Sequence, residues 1–124
     1  GGAKAIYEPW RNTYAHLIAE MGWVELKINY EELELVKYFE TQALETYNAM
    51  LKNKQNAPIA SSCGRLFDAA AAAMGICREQ VSYEGQAAIE LEAIVDQKAL
   101  VEEDDLLAYP FAIPRLQHVA SAIR

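Results

Sequence analysis

Asp68 is the residue of this sequence best placed to meet a ligand, because of the small residues around it. Gly64 and Ala72 lie four positions before and four positions after Asp68, so on a helix the three share one face. Neighbours with almost no side chain let a planar or bulky group approach the backbone beside the carboxylate. The ordinary alternative is a structural Asp68, solvated or bonded to a nearby backbone amide.

Two predicted helices position this carboxylate and the turn that follows it. Ser61 or Ser62 is a suitable N-cap for the first helix, and Gly75 suits the left-handed residue beyond its C-terminus. We expect the first helix to bury its apolar stripe, which comprises Leu66, Phe67, Ala70, Ala71 and Met74. The second helix is expected to leave Gln86 and Glu90 on an open face and to bury a stripe of Ala87, Leu91, Ile94 and Val95.

The rest of the chain predicts further helices and at most one short edge strand. Pro9 begins a helix that ends at Gly22, Asn29 begins a second helical region, and Thr41 caps a third. Three further segments are predicted: an extended stretch at 57–60, a strand at 106–113 and a last helix from Leu116 to Arg124. The predicted fold class is therefore mainly α.

Composition limits the classes of partner. The 124 residues suit one domain, and the net charge is −7. A protein that binds the phosphates of nucleic acid needs clustered Lys and Arg, so we expect no nucleic-acid partner. No apolar run is long enough for a bilayer, and no basic start precedes an apolar region. We therefore expect a cytoplasmic protein without a membrane partner.

Cys63 and Cys77 are the two cysteines of the sequence. A helix rises about 1.5 Å per residue, so a thiol in the first turn cannot reach one beyond the far end to form a disulfide. His16 and His118 are remote in sequence and give no zinc spacing. We expect two reduced thiols without a catalytic role, no metal site in this chain, and a surface position for His16.

Several motifs, in order along nearly the whole chain, closely resemble the HypF family of carbamoyltransferases, which mature NiFe hydrogenases. The family's Gly-Gly-x-Lys-Ala-Ile-Arg-Glu-Pro-Trp-Arg segment matches residues 1–11, except that Tyr7 replaces the first Arg. Four further stretches carry the likeness: 56–58, 61–69, 83–88 and 109–111. The family normally has a longer stretch where Gln117 meets His118, so this junction is either a deletion or a gap.

The resemblance implies a slice of a two-lobed fold of the sugar-kinase and actin-like ATPase type. In related TsaD-type enzymes, a Gly-x-x-Phe-Asp helix and a Tyr-Pro-Gly-Gly turn hold the ribose of a nucleotide. Carried over, Asp68 accepts from the ribose hydroxyls, in keeping with a carboxylate's two acceptor oxygens. The implied nucleotide-binding set is Gly64, Arg65, Asp68, Glu84, Gly85 and Gln86. Glu84 stands where those relatives have Pro. The assignment requires the carboxylate to face the glycine turn and to stay clear of the packed interior.

For the whole enzyme the resemblance implies a relay. ATP and carbamoyl phosphate give carbamoyl adenylate, and the carbamoyl group passes to the C-terminal cysteine of HypE. The resemblance also implies a zinc or iron ion whose ligands lie outside this chain. Residues 1–124 would form a single partial domain with no catalytic residue of its own, inactive when isolated. The alternative is a helical protein-interaction module without nucleotide binding.

Overall fold

The computed structural model describes residues 2–53, 62–99 and 101. Within these ranges the chain forms seven α-helices and no strand. Their bounds are α1 Lys4–Tyr7, α2 Trp10–Glu20, α3 Gly22–Tyr30, α4 Glu34–Glu40, α5 Leu44–Lys52, α6 Cys63–Ala73 and α7 Gln86–Ala93. The predicted mainly α fold class is confirmed. The predicted extended stretch, edge strand and last helix lie outside the described residues, as does the Gln117–His118 junction.

An aromatic cluster holds α2, α4 and α5 together. Tyr14 and Phe39 are fully buried, and their rings meet edge to face with centroids 5.1 Å apart. The wider cluster adds Trp10, Tyr47, Leu26, Leu35 and Val36. The polar ends of its tyrosines are satisfied: the Tyr14 hydroxyl donates to Asn48 Oδ1 at 2.9 Å, and the Tyr47 hydroxyl donates to the Arg11 carbonyl at 3.0 Å. Buried aromatic rings with paired hydroxyls form a rigid base for the other helices.

Helix α6 packs against both α2 and α7. The α6–α7 contact is made by small side chains, with Ala71 and Ala87 fully buried around Val81. The Thr13 hydroxyl of α2 donates to the Ala69 carbonyl of α6 at 2.8 Å. Because alanine faces allow backbones to approach closely, the two helices and their connecting loop form a tight unit beside α2.

Of the predicted apolar stripe of α6, Ala71 is buried as expected, but the other four residues are exposed. Leu66, Phe67 and Met74 are more than half exposed, and Ala70 is exposed as well. The buried side instead consists of Asp68, Ala69, Ala71 and Ala72. The reason is packing distance: α2 and α7 approach α6 across its smallest residues, which leaves its large apolar residues outside.

The predicted helix boundaries near residues 29 and 41 are also wrong. Asn29 lies inside α3, and Thr41 caps the C-terminus of α4, where its hydroxyl donates to the Tyr38 carbonyl. Residue 43, not Thr41, stands at the N-cap of α5. Polar residues that suit an N-cap also suit the exposed face or the end of a helix, so the local pattern alone did not fix the boundaries.

Other predicted boundaries are confirmed. Helix α2 covers the segment predicted from Pro9 to Gly22, and Gly75 follows α6 with a left-handed φ of +88°. Ser62 occupies the N-cap position of α6, although its side chain makes no capping hydrogen bond within the described chain. In α7, Ala87 is buried and Leu91 packs beside it as predicted, whereas Ile94 and Val95, which follow the end of α7, are exposed.

Candidate functional site

The candidate site lies where the first turns of α6 face the loop that leads into α7. Arg65 bridges two carboxylates there: its Nη1 donates to Asp68 Oδ2, and its Nη2 donates to Glu84 Oε1 at 2.7 Å. Asp68 is three residues after Arg65, so these two pair within one helix. Glu84 comes from the loop and brings the turn against the helix. We call these three residues the Arg65 cluster.

The two carboxylates of the Arg65 cluster differ in burial. Asp68 is 4% exposed, whereas the Glu84 side chain is 69% exposed. The Arg65 guanidinium therefore joins a buried acid to one in solvent. Through Arg65, Asp68 is linked to Glu84 in the predicted turn, but it lies on the packed side of α6, so the expectation that this carboxylate stays clear of the packed interior is not met. Its ion pair with Arg65 also differs from the alternative expectation of a bond to a backbone amide.

The pKa of Asp68 records opposing influences. Burial raises it, and the Arg65 guanidinium lowers it through its charge and its hydrogen bond, while the charge of Glu84 also raises it. The net direction is upward from the ordinary value, so burial outweighs the cation. In the described chain, Arg65 is the cation that favours the ionised form of this buried acid.

Two glycines that neighbour the Arg65 cluster in sequence have open space around them. A Cβ added to Gly64 or to Gly85 would meet no heavy atom within 4 Å in the described part of the molecule. Gly85 also has a φ of +88°, a backbone conformation that other residues adopt only with strain, and it starts α7. Gly64 has no such conformational need, so the space beside it is open without an internal packing reason.

Gln86, the sixth predicted site residue, has a separate set of partners. Its Oε1 accepts from the Ser82 backbone amide at 2.7 Å, and its Nε2 donates to Glu90 at 2.8 Å. These bonds fix the loop that carries Glu84 and Gly85. The structure thus brings Arg65, Asp68 and Glu84 together, with both glycines near them in sequence. The Gln86 side chain instead supports the loop.

The groups that hold this loop against the segment before α2 have no signature in the residue types. The Val81 amide donates to the Tyr7 carbonyl at 2.9 Å, and the Trp10 amide donates to the Arg78 carbonyl at 3.1 Å. The loop is therefore tied by backbone bonds to the segment before α2. Backbone groups carry no side-chain identity, so residue types alone could not reveal these bonds.

Arg78 joins α6 to α4 at the other end of the same loop. Its Nε donates to the Ala72 carbonyl at 3.0 Å, Nη1 donates to Glu34 at 3.2 Å, and the guanidinium lies over the Tyr38 ring at 5.8 Å. A groove of about 550 Å³ lies here, lined by residues of α4 and of 75–80. The Arg65 cluster does not line it. Since Arg78 is already engaged by three protein groups, we interpret this groove as a structural junction.

The two cysteines are free, as predicted. Cys63 is exposed, while Cys77 is partly buried and contacts Glu90; burial and this contact raise the pKa of its thiol to about 11. A thiol with so high a pKa is a poor nucleophile at neutral pH. His16 is exposed, also as predicted.

The metal that the family resemblance implies does not fit these residues. Among 2–53, 62–99 and 101, no group of three or more His, Cys, Asp and Glu is placed to hold a metal ion. Nor does any helix in the described ranges have the length and apolar character to cross a membrane.

Comparison with known proteins gives one family. The family described as "Carbamoyltransferase, Kae1-like Domain, second subdomain" matches residues 1–122. Carbamoyltransferase HypF of Rhodobacter capsulatus is 39% identical over 94 residues, which are 76% of this chain and 12% of that protein. Carbamoyltransferase HypF2 of Cupriavidus necator is 43% identical over 96 residues, 77% of this chain and 11% of that protein.

The similarity extends to an archaeal protein. The probable carbamoyltransferase HypF of Methanocaldococcus jannaschii is 34% identical over 97 residues, 78% of this chain and 12% of that protein. The chain thus spans about an eighth of the length of these relatives. No solved structure matches it significantly.

Proposed function

Because this chain belongs to the HypF carbamoyltransferase family, as the second subdomain of a Kae1-like domain, we propose that it lines the nucleotide cleft of such an enzyme. The nucleotide is the adenylate of an activated carbamoyl group. The side chain that meets its sugar is Asp68, at the Arg65 cluster. Gly64 and Gly85 flank the path along which the sugar approaches.

The observation that supports this proposal is the ion-pair cluster that joins α6 to the loop before α7, with open space at Gly64 and at Gly85. Asp68 Oδ2 accepts from Arg65, and among the described residues no hydrogen bond reaches Oδ1. A carboxylate has about four acceptor positions, so the pair with Arg65 leaves capacity for the hydroxyls of a vicinal diol. Hydroxyl groups that donate to an ionised carboxylate form strong hydrogen bonds.

The proposed reaction of the whole enzyme is the relay that the family resemblance implies. Carbamoyl phosphate and ATP form carbamoyl adenylate elsewhere in the enzyme, and this domain passes the carbamoyl group to the C-terminal cysteine of HypE. The product serves cyanide ligand synthesis in NiFe hydrogenase maturation, in the cytoplasm. This chain binds and orients the adenylate. The metal ligands and the transfer chemistry lie in other segments, so the isolated chain is expected to transfer no carbamoyl group.

One observation favours a second candidate, a protein-interaction module. Leu66, Phe67 and Met74 present an exposed apolar surface on α6, and Ile89 is exposed on α7. Apolar surface of this kind often marks a contact with another protein segment. The two candidates differ in the role of Asp68, which is needed for nucleotide binding and is dispensable for an apolar contact.

The experiment is Asp68→Asn in the full-length enzyme, with the two half-reactions measured separately. Removing the charged acceptor should slow carbamoyl transfer to HypE about 100-fold or more. Pyrophosphate release from ATP, which reports adenylate formation, should stay unchanged.

Asp96→Asn is the matched control, because Asp96 is an exposed acid that accepts only from the nearby Lys98 amide in the described chain. It should leave both half-reactions at the wild-type rate. Wild-type transfer by Asp68→Asn would refute the nucleotide assignment and would favour the interaction module.

A further inference from the structure

The Arg65 cluster contains a residue whose role the proposed function leaves open. Asp68 is the acceptor under that proposal, but a buried acid is costly to ionise and free to rotate unless a neighbour holds it. The structure gives it one such neighbour on its own helix. Two features of that neighbour, its geometry and its second partner, indicate what it does.

The geometry of Arg65 is that of a fixed fork. A guanidinium is planar and presents its donors in set directions, and here its two terminal nitrogens are assigned to different acids. The bond to Asp68 fixes Oδ2. The bond to Glu84 fixes the guanidinium, and it also ties the loop before α7 to the first turn of α6.

We propose that Arg65 is a positioning residue: held by Glu84, it keeps the buried Asp68 carboxylate charged and oriented toward a vicinal diol. This inference rests on the proposed function, because a positioning role for Arg65 has a purpose only if Asp68 binds a ligand. Arg65 itself need not touch the nucleotide.

The unequal burial of the two acids predicts unequal effects. The Arg65–Asp68 pair is shielded from water, and removing one partner of such a pair leaves an uncompensated charge. The Arg65–Glu84 pair is mostly in solvent, where ion pairs contribute little. Loss of Arg65 should therefore matter much more than loss of the Glu84 charge.

The surroundings of Asp68 predict a pH signature. In the described chain, the charged groups that act on it are Arg65 on α6 and Glu84 in the loop before α7. Helix α2, which also packs against α6, places the Thr13 hydroxyl on the Ala69 carbonyl. Without Arg65 the pKa of Asp68 rises further, so its ionised fraction is lost at mildly acidic pH and returns at higher pH.

The test measures AMP binding to the full-length enzyme by calorimetry at about pH 5.5 and about pH 8. The AMP-binding component that is present in the wild type and lost in Asp68→Asn is assigned to this site. This assignment distinguishes it from AMP binding at any other nucleotide site of the enzyme. Arg65→Gln should weaken that component about tenfold or more at the lower pH, equivalent to about 1.4 kcal/mol, and clearly less at the higher pH. Arg65→Lys keeps the cation but not the planar fork, so it should restore the pH dependence of the wild type and recover only part of the affinity. Glu84→Gln should change it less than about threefold.

Two outcomes separate the failure of this inference from failure of the proposed function. If Asp68→Asn leaves every AMP component intact, the nucleotide assignment itself is wrong. If Asp68→Asn abolishes one component but Arg65→Gln binds as wild type at both pH values, or loses affinity equally at both without rescue by Lys, the positioning role is wrong. Circular dichroism verifies folding, and Arg65→Met, which also removes the cation, replaces Arg65→Gln with the same expected result if Arg65→Gln does not fold.

Discussion

The aromatic cluster on α2, α4 and α5 and the α6–α7 pair differ in what fills the space between their helices. In the first region large rings meet: Trp10 and Tyr47 have centroids 5.5 Å apart, and Tyr14 and Tyr47 5.6 Å. In the second region the contact is made by alanines, Ala71 and Ala87, around Val81. The large apolar residues of α6 point away from that contact.

This difference in packing corresponds to a difference in role between the two regions. Burial of large aromatic rings removes much apolar area from water and so stabilises a fold. Close packing across alanines supplies less area, but it brings two helix ends and a loop near enough for Arg65 to span 19 residues of sequence to Glu84. We infer that the aromatic cluster carries the stability and that the α6–α7 pair presents the site.

The strongest test of this division of roles makes the same substitution in each region, Phe39→Ala in the aromatic cluster and Phe67→Ala on α6. Phe39 is 0% exposed and Phe67 is 51% exposed. Phe39→Ala should lower the free energy of unfolding of this chain by about 3–5 kcal/mol, because it opens a cavity. Phe67→Ala should cost less than about 1 kcal/mol. Equal losses of unfolding free energy for the two variants, measured by urea denaturation, would contradict this division of roles.

A second prediction concerns the tight contact of α6 with its neighbours. Ala71→Leu should destabilise the chain by about 1–3 kcal/mol, since no space exists at a fully buried alanine between packed helices. Ala73→Leu is the control, because Ala73 is exposed on the same helix. Its melting temperature should match that of the wild type. Tolerance of Ala71→Leu would mean that the helices pack loosely.

The third prediction tests the hydrogen bond that joins the two regions. Thr13→Val keeps the shape of the side chain but removes the donor to the Ala69 carbonyl, and it should cost about 1–2 kcal/mol. Thr13→Ser keeps the hydroxyl and should recover most of that loss. If thermal unfolding does not distinguish Val from Ser, the bond does not couple α2 to α6.

The smallest expected effect is at the site itself. Because the folded pKa of Asp68 lies above its ordinary value, the folded chain binds this proton more tightly than the unfolded chain. The contribution of Asp68 to stability is therefore largest at acid pH and is lost as the pH rises. Asp68→Asn removes this titration. The stability of the variant relative to the wild type should therefore decrease by less than about 1 kcal/mol as the pH falls from about 7 to about 4, and denaturation curves that show the opposite trend would refute it.

The features that sequence reasoning predicted correctly are those set by local chemistry. Gly75 could be placed because a helix end favours a left-handed glycine, and the two cysteines could be called free because helix geometry keeps them apart. The helix that follows Pro9 was predicted from its apolar spacing. Each of these depends on a few neighbouring residues.

The features it missed depend on which elements meet. The apolar stripe of α6 predicted burial, but α2 and α7 pack on the alanine and Asp68 side, so the stripe is exposed. The α3 helix was missed because Gly22 and Asn29 resemble boundary residues. The Arg65–Glu84 pair depends on the path of a loop. Tertiary contacts of this kind leave no periodic signal.

Hydrogen–deuterium exchange of the full-length enzyme with and without AMP tests the central claim most directly. The account predicts that AMP slows exchange at the backbone amides of 64–68 and 83–86, and that exchange in the aromatic cluster on α2, α4 and α5 stays unchanged. Asp68→Asn should abolish this protection. Protection confined to other parts of the enzyme, or protection at 64–68 that survives Asp68→Asn, would contradict it.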